Sequence, residues 1–411
     1  MTHELTTSAF DHEYRGCDVL YGRGRIADLG SYLDEAGVGR ALVVCGSNVG
    51  ANDDLMGPVR EGLGDRFAGV FDGTTPAKRV DEAYEVIERI DETGADAVVG
   101  VGGGSSLDIA RQASVLAADG RGLAELRAAA EADGRVEQPT DVDPAFPVVV
   151  VPTTFAGADL STGGTLVVSS AEESPTTQPV LISGNATPVA DVVDPALFET
   201  TPRGALAGSA MNGFNKGIET PYASDASAVS DATAIHGLRY LTDALPRVAG
   251  DGSHGGDGSV EVADSAAMDR AALGAVLVQF DRKTSVIHAF GHGFSRRYDV
   301  QQGDVHAVLA PAVLRYVLDS VDANRYAHAA GLGVDTEGKS DDAIADGVVE
   351  AVTAVRDSLG RPTRARDLPE TRETDIPDIA AFVLEDPMMD RAPGGLNPTA
   401  EAIEDVLREA W

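Results

Sequence analysis

Three short, almost wholly aliphatic runs constrain the fold more than anything else in the chain: ALVVC from Ala41, AVVGVG from Ala97 and FPVVVV from Phe146. Each is rich in Val, too short for a helix and closed by Gly or Pro, which reads as a buried strand. Between them residues 51–66 and 80–94 carry helical periodicity, clearest in VDEAYEVIERI. A strand that is apolar on both faces needs cover on both sides, so the strand-helix-strand order predicts a parallel sheet between layers of helices. From about residue 200 the pattern turns to long helical stretches at 204–219, 226–247, 262–281, 284–297, 304–320, 341–359 and 397–410. The expected organisation is an α/β domain over residues 1–195 and an all-α domain over 196–411, divided near VDPALFETTP, where two prolines punctuate the chain. The Gly/Asp/Ser stretch from Ala249 and residues 132–145 read as surface loops.

Charge narrows the partners. The chain has 66 acidic and 32 basic residues, a net charge of −34 spread along its 411 residues. That disfavours nucleic acid and anionic membrane. Arginine carries nearly all the positive charge, because Lys78, Lys216, Lys283 and Lys339 are the only lysines. The composition looks like that of a halophile, where high charge serves hydration and solubility. Cys17 and Cys45 cannot build a disulfide framework. With no membrane-length apolar run, the expected setting is soluble and cytoplasmic, with a small molecule as the partner.

Three motifs carry candidate chemistry. Gly102-Gly103-Gly104-Ser105-Ser106-Leu107-Asp108 leaves a buried strand and opens a helix, the arrangement that brings backbone N–H groups to a phosphate. It lacks the Lys-Ser/Thr ending of a P-loop. Pro152-Thr153-Thr154-Phe155-Ala156-Gly157-Ala158-Asp159 leaves a second strand, with hydroxyls for a nucleotide or substrate or simply for capping a helix. His288 and His292 stand four residues apart in a helical run, with His306 further on. That spacing shares one helical face and suits two metal ligands or two general acids, although such pairs are often plain packing.

Taken together these motifs resemble the iron-containing alcohol dehydrogenase superfamily over nearly the whole chain. VGGGSSLDIAR is similar to its GGGSxxDxAK turn, with Arg111 in the usual lysine's place, and the threonine loop and histidine segment follow in order. The resemblance implies the iron-type alcohol dehydrogenase (dehydroquinate synthase-like) fold: an N-terminal dinucleotide-binding domain, a C-terminal helical domain, substrate in the cleft between them and assembly as a homodimer. PTTFAGADLS, MNGFNKGIE from Met211, His306 before VLAP and the closing Asn397-Pro398 look most like the maleylacetate reductase branch. Carried over residue by residue, the cofactor would meet Gly46, Gly103, Gly104, Ser105, Ser106, Asp108, Thr153, Thr154, Phe155 and Gly157. Gly46 stands where an aspartate often faces the ribose, so NADP is expected to be accepted and NAD is not excluded.

The departures matter most. At the superfamily's four iron-ligand positions stand Asn212, Lys216, His288 and Gln302. An ammonium has no lone pair and amides are poor ligands, so neither iron nor zinc is expected. Lys216 is expected to stand in for the ion as a cation beside the substrate oxygen, unless it merely pairs with Glu219. Asn212 would help hold that oxygen, and His292, with His288, would manage the proton. Arg296 or Arg297 would clamp a carboxylate if the substrate has one. The expected function is a NAD(P)-dependent dehydrogenase or reductase acting on a carbonyl, alcohol or conjugated alkene without metal. The alternatives are a metal enzyme with altered ligands and a silent cofactor-binding paralogue.

Overall fold

The computed structural model describes residues 16–140, 142–176, 178–249 and 264–411. The glycine-rich stretch expected as a loop after Ala249 lies largely outside them. The described chain divides into two compact units: one formed by residues 16–154 and Ala158–Thr201, the other by Phe155–Gly157 and Pro202–Trp411. The main division thus falls after Thr201, against residue 195 from the sequence, and three residues of the threonine loop belong to the second unit.

The first unit contains strands β1 (Asp18–Tyr21), β2 (Ala41–Val44), β3 (Phe67–Phe71), β4 (Ala97–Gly102), β5 (Val148–Pro152), β6 (Leu166–Ser169), β7 (Val180–Ile182) and β8 (Ala190–Val193). Its helices are α1 (Leu29–Glu35), α2 (Ser47–Gly50), α3 (Asp53–Leu63), α4 (Val80–Thr93), α5 (Gly104–Asp119), α6 (Leu123–Asp133) and α7 (Pro195–Phe198). Six strands form a parallel sheet in the order β1-β8-β5-β4-β2-β3, and β6 and β7 make a separate antiparallel pair. The Val-rich runs are buried on both faces because alternate side chains serve two cores. Leu42, Val44, Val98, Val148 and Val150 enter one; Ala41, Val43, Val99, Val149 and Val151 enter the other. The strand order reverses between β2 and β4, which are neighbours. The crevice outside their carboxyl ends, where Gly46 and Gly102 lie, is where such sheets bind ligands.

The second unit is helical: α8 (Arg203–Glu219), α9 (Ala228–Val248), α10 (Ser265–Leu277), α11 (Val286–Ser295), α12 (Gln302–Ser320), α13 (Arg325–Leu332), α14 (Asp341–Ser358), α15 (Ile376–Glu385) and α16 (Ala400–Glu409). Two backbone contacts set how α8 is seated. A Cβ on Gly303 of α12 would overlap Gly208 O, and one on Gly213 would overlap Phe155 O. Glycine at these positions lets α8 lie against α12 on one side and against residues 155–157 on another. No helix among the described residues is long and apolar enough to cross a membrane.

Candidate active site

In the sheet unit, the glycine turn is built for an anion. Gly102 has φ 127°, a conformation that favours glycine, and Gly103 precedes α5 without any side-chain cap. The first-turn N–H groups of this sixteen-residue helix thus have no side-chain cap among the described residues, an arrangement that suits an anion, with the helix dipole behind them. Thr154 packs its side chain against Gly103, and Ser106 shares a 2.7 Å hydrogen bond with Thr74 of the β3 exit, itself beside Gly46. Thr153 is buried and serves the fold, its N–H donating to Gly102 O and its carbonyl accepting from Thr201 Oγ1. Asp72, leaving β3, packs against Gly50 of α2 and so brings a carboxylate to this end of the sheet from a strand the sequence had not marked.

Asp108 is committed within the unit. Lys78 Nζ lies 2.6 Å from its Oδ2 and Arg111 Nη2 lies 2.5 Å from its Oδ1. Burial would lift this carboxyl, but Lys78 and Arg111 hold it below the usual carboxylate range. Arg111, fully buried, also donates to the carbonyls of Ala158 (2.9 Å) and Asp159 (3.2 Å), which ties α5 to the threonine loop.

In the helical unit, α8 presents Asn212, Lys216 and Glu219 on one face at i, i+4 and i+7. Lys216 is 6% exposed, and its Nζ donates to Ala156 O at 2.7 Å. Gly157, at φ 67°, sits against the lysine stem: a Cβ there would lie 3.3 Å from Lys216 Cδ. Of the residues assigned to the cofactor from sequence, Phe155 and Gly157 thus pack with α8 in the helical unit, Phe155 N–H donating to Ser209 Oγ at 3.1 Å. Asn212 Oδ1 is buried without a hydrogen-bond partner among the described residues.

The alternative weighed from sequence was a helical bridge from Lys216 to Glu219, and hydrogen bonds of the Glu219 carboxyl run to α11. Its Oε1 accepts the N–H of Ser285 (3.1 Å) and of His288 (2.9 Å), and its Oε2 meets His288 Nδ1. Burial lifts the Glu219 carboxyl to about 8, against the pull of those N–H groups and of Lys216. Burial also pushes His288 well below its ordinary range, with the Lys216 charge adding to it. The pair therefore holds one proton and no net charge at neutral pH. His306 of α12 stands edge-on to His288, ring centres 4.5 Å apart, with both nitrogens buried and unpartnered among the described residues. It fits there because α11 has Gly291 opposite, where a Cβ would come 2.5 Å from His306 Nε2. Burial, then His288 and Lys216, keep the His306 ring neutral.

His292, one turn along α11 from His288, is more open, its side chain 21% exposed, and its Nδ1 lies 2.9 Å from Oδ2 of Asp386. Sequence reasoning missed Asp386, which is 94 residues away and has no local signature. The two arginines considered as a clamp are placed elsewhere. Arg297 bridges Asp375 (3.0 Å) and Asp378 (3.3 Å), and Arg296 lies over the ring of Phe382.

The four ligand positions thus hold an imidazole already bonded to Glu219, two amides and an ammonium. Among the described residues no three His, Cys, Asp or Glu side chains converge to hold a metal ion. This donor set does not fit iron or zinc.

A parallel-sheet unit followed by a helical unit defines the class of architecture, and comparison with known proteins gives the family. The model for "Iron-containing alcohol dehydrogenase" matches residues 17–195 and that for "Fe-containing alcohol dehydrogenase family, C-terminal" matches residues 206–411. The chain belongs to the iron-containing alcohol dehydrogenase family. It is similar to the NAD-dependent methanol dehydrogenase of Bacillus methanolicus, 25% identical over 95% of this chain and 96% of that protein. It is also similar to maleylacetate reductase 1 of Cupriavidus pinatubonensis, 23% identical over 98% of this chain and 97% of that one. The crystal structure of a 1,3-propanediol oxidoreductase superposes with a TM-score of 0.82 at 23% identity, covering 97% of this chain and 99% of that one. The chain is an oxidoreductase of this family, and its homologues include an NAD-dependent dehydrogenase and a maleylacetate reductase.

The Glu219–His288 pair carries a testable pH signature. Glu219 holds its proton to about 8 when folded but releases it near the ordinary 4.5 when unfolded, so its contribution to stability falls as pH rises between those values. His288 acts on the acid side: unfolded, it takes up a proton as pH drops through the ordinary 6.5, and stability falls there. Between pH 6.5 and 8 the Glu219 slope acts without that opposition. Relative to a Glu219→Gln variant, the wild type should lose on the order of 1 kcal/mol per pH unit across this window, read from urea midpoints. Parallel curves would exclude a protonated Glu219.

Proposed function

We propose that the protein is a nicotinamide-dependent dehydrogenase or reductase that acts on a small carbonyl, alcohol or conjugated alkene without a catalytic metal. The observation that carries this reading is the Lys216 ammonium, buried on α8 at an iron-ligand position and one turn from Asn212. The N-terminus of α5 with Gly103, Gly104, Ser105 and Ser106 fits the cofactor's pyrophosphate, and Gly46 with Thr74 fits the adjoining ribose. No carboxylate stands at Gly46, which favours acceptance of NADP; Asp72, one strand further out, favours NAD, so both cofactors are expected to serve.

The nicotinamide, when bound, supplies or takes the hydride. The chain's own residues manage the oxygen and the proton. Lys216 supplies positive charge where the substrate oxygen gains negative charge, as a metal would by polarisation. Asn212 adds an amide beside it. His292 gives a proton to that oxygen during reduction and takes it back during oxidation, while the neutral His288–Glu219 pair leaves Lys216 as the cation of the cluster. The threonine-loop and α8 motifs favour a substrate like those of the maleylacetate reductases, and assembly as a homodimer belongs to the same proposal.

The test is a panel of aldehydes, ketones and unsaturated acids assayed in molar salt with NADH and NADPH, with elemental analysis before and after chelation. Turnover undiminished in protein free of bound metal is the expected result. Loss of activity on chelation, restored by one metal, would establish a metal enzyme with altered ligands. Dinucleotide binding with no turnover on any substrate would establish a silent paralogue.

A further inference from the structure

His292 is held from outside its own helix. Asp386 follows α15 directly and is 3% exposed; its Oδ2 meets His292 Nδ1 at 2.9 Å and its Oδ1 accepts the N–H of Met388 at 2.9 Å. The segment that carries it is fastened again at the start of α11. The carbonyl of Arg391 accepts Ser285 Oγ (2.9 Å) and the N–H of Ser224 (3.1 Å), and Thr284 Oγ1 donates to Met388 Sδ (3.1 Å). Residues 386–391 therefore run along α11 from His292 back to Ser285, tied at both ends, and the carboxylate is placed by backbone as well as by its own rotamer.

Both histidines of α11 meet a carboxyl through Nδ1, and that of His292 is the one held by backbone from beyond its own helix. Around Asp386, burial is outweighed by the bonds from His292 and from Met388 N–H, with the charges of His292 and Arg296 assisting, so its carboxyl stays below the usual range and ionised. An ionised carboxylate only accepts, so the hydrogen between the pair sits on His292 Nδ1.

We infer that Asp386 is a positioning residue for proton exchange at His292: it fixes hydrogen on Nδ1 and so leaves Nε2 as the atom that gives or takes the substrate's proton. This rests on the reading of His292 as the proton exchanger. The groups that act on that ring are Asp386 beyond α15, His288 on α11 and His306 on α12, and Arg296, which follows α11, acts on Asp386. An aspartate in this role acts through the imidazole and needs no contact with substrate.

The experiment compares Asp386→Asn, Asp386→Glu, His292→Asn and the Asp386→Asn/His292→Asn double variant with the wild type, using the best substrate of the panel, dinucleotide titration and ¹⁵N-histidine NMR. Asp386→Asn should lower kcat about ten- to a hundred-fold, with KM and dinucleotide Kd within about two-fold, and Asp386→Glu should recover most of the loss. The double variant should be no slower than His292→Asn, because the aspartate acts only through the ring. In the wild type the His292 signal should report Nδ1–H, and in Asp386→Asn it should lose it. Full kcat in Asp386→Asn, losses that add in the double variant, or an Nε2–H ring in the wild type would each overturn the inference. Full kcat in His292→Asn would instead overturn the reading of His292 on which it rests.

Discussion

Lys216→Ala is expected to lower turnover by about a hundred- to a thousand-fold while dinucleotide affinity stays at the wild-type value. The charge it removes is buried, held by Ala156 O at 2.7 Å and flanked by a neutral Glu219–His288 pair, and no other lysine lies on α8. In such a setting a charge acts more strongly than in water, and one preorganised donor aimed at a developing oxyanion is typically worth two to three powers of ten, about 3–4 kcal/mol. Binding of the cofactor's phosphates should not follow, because the N-terminus of α5 belongs to the sheet unit. Lys216→Met keeps the stem that packs on Gly157 and separates charge from packing. If Met performs like Ala in kcat but restores thermal stability, the ammonium is what matters. Turnover undiminished in both variants would rule out the lysine as the cation of the site.

Arg111→Ala should destabilise the sheet unit by about 3–5 kcal/mol, because it strips one partner from a buried ion pair and leaves Asp108 with Lys78 alone. The same guanidinium holds the carbonyls of Ala158 and Asp159, so the threonine loop loses its tie to α5 and dinucleotide binding should weaken as well. Arg111→Lys should fall between the two, since an ammonium cannot span the carboxylate and both carbonyls with one planar fork. Calorimetry and dinucleotide titration measure the two effects. A stable Arg111→Ala protein with normal affinity would show that Lys78 alone satisfies Asp108.

β2, β4 and β5 were legible because runs such as VVVV have only one way to be buried on both faces. The helices from α8 to α12 were legible because 3.6-residue periodicity survives over ten residues or more. β1 and β8 were not marked, being four-residue edge and near-edge strands whose place depends on pairing with each other across most of the unit. Glu219 was visible as a neighbour of Lys216 in sequence, yet its carboxyl turns to His288 on another helix, which the i, i+3 spacing does not determine. Asp386 had no signal at all.

The sequence by itself determined the kinds of groups available: a glycine turn between a buried strand and a helix, two histidines on one helical face, and an ammonium and two amides at positions that match the family's iron ligands. Those follow from residue identity, spacing and the absence of lone pairs on a lysine nitrogen. Only the tertiary structure decided how the groups are paired. Glu219 with His288, Asp386 with His292, Arg111 with Asp108 and the carbonyls of Ala158 and Asp159, and Lys216 with Ala156 O are the pairs it made. Partners and protonation depend on burial and on which helices meet, and both are properties of packing between segments far apart in the chain.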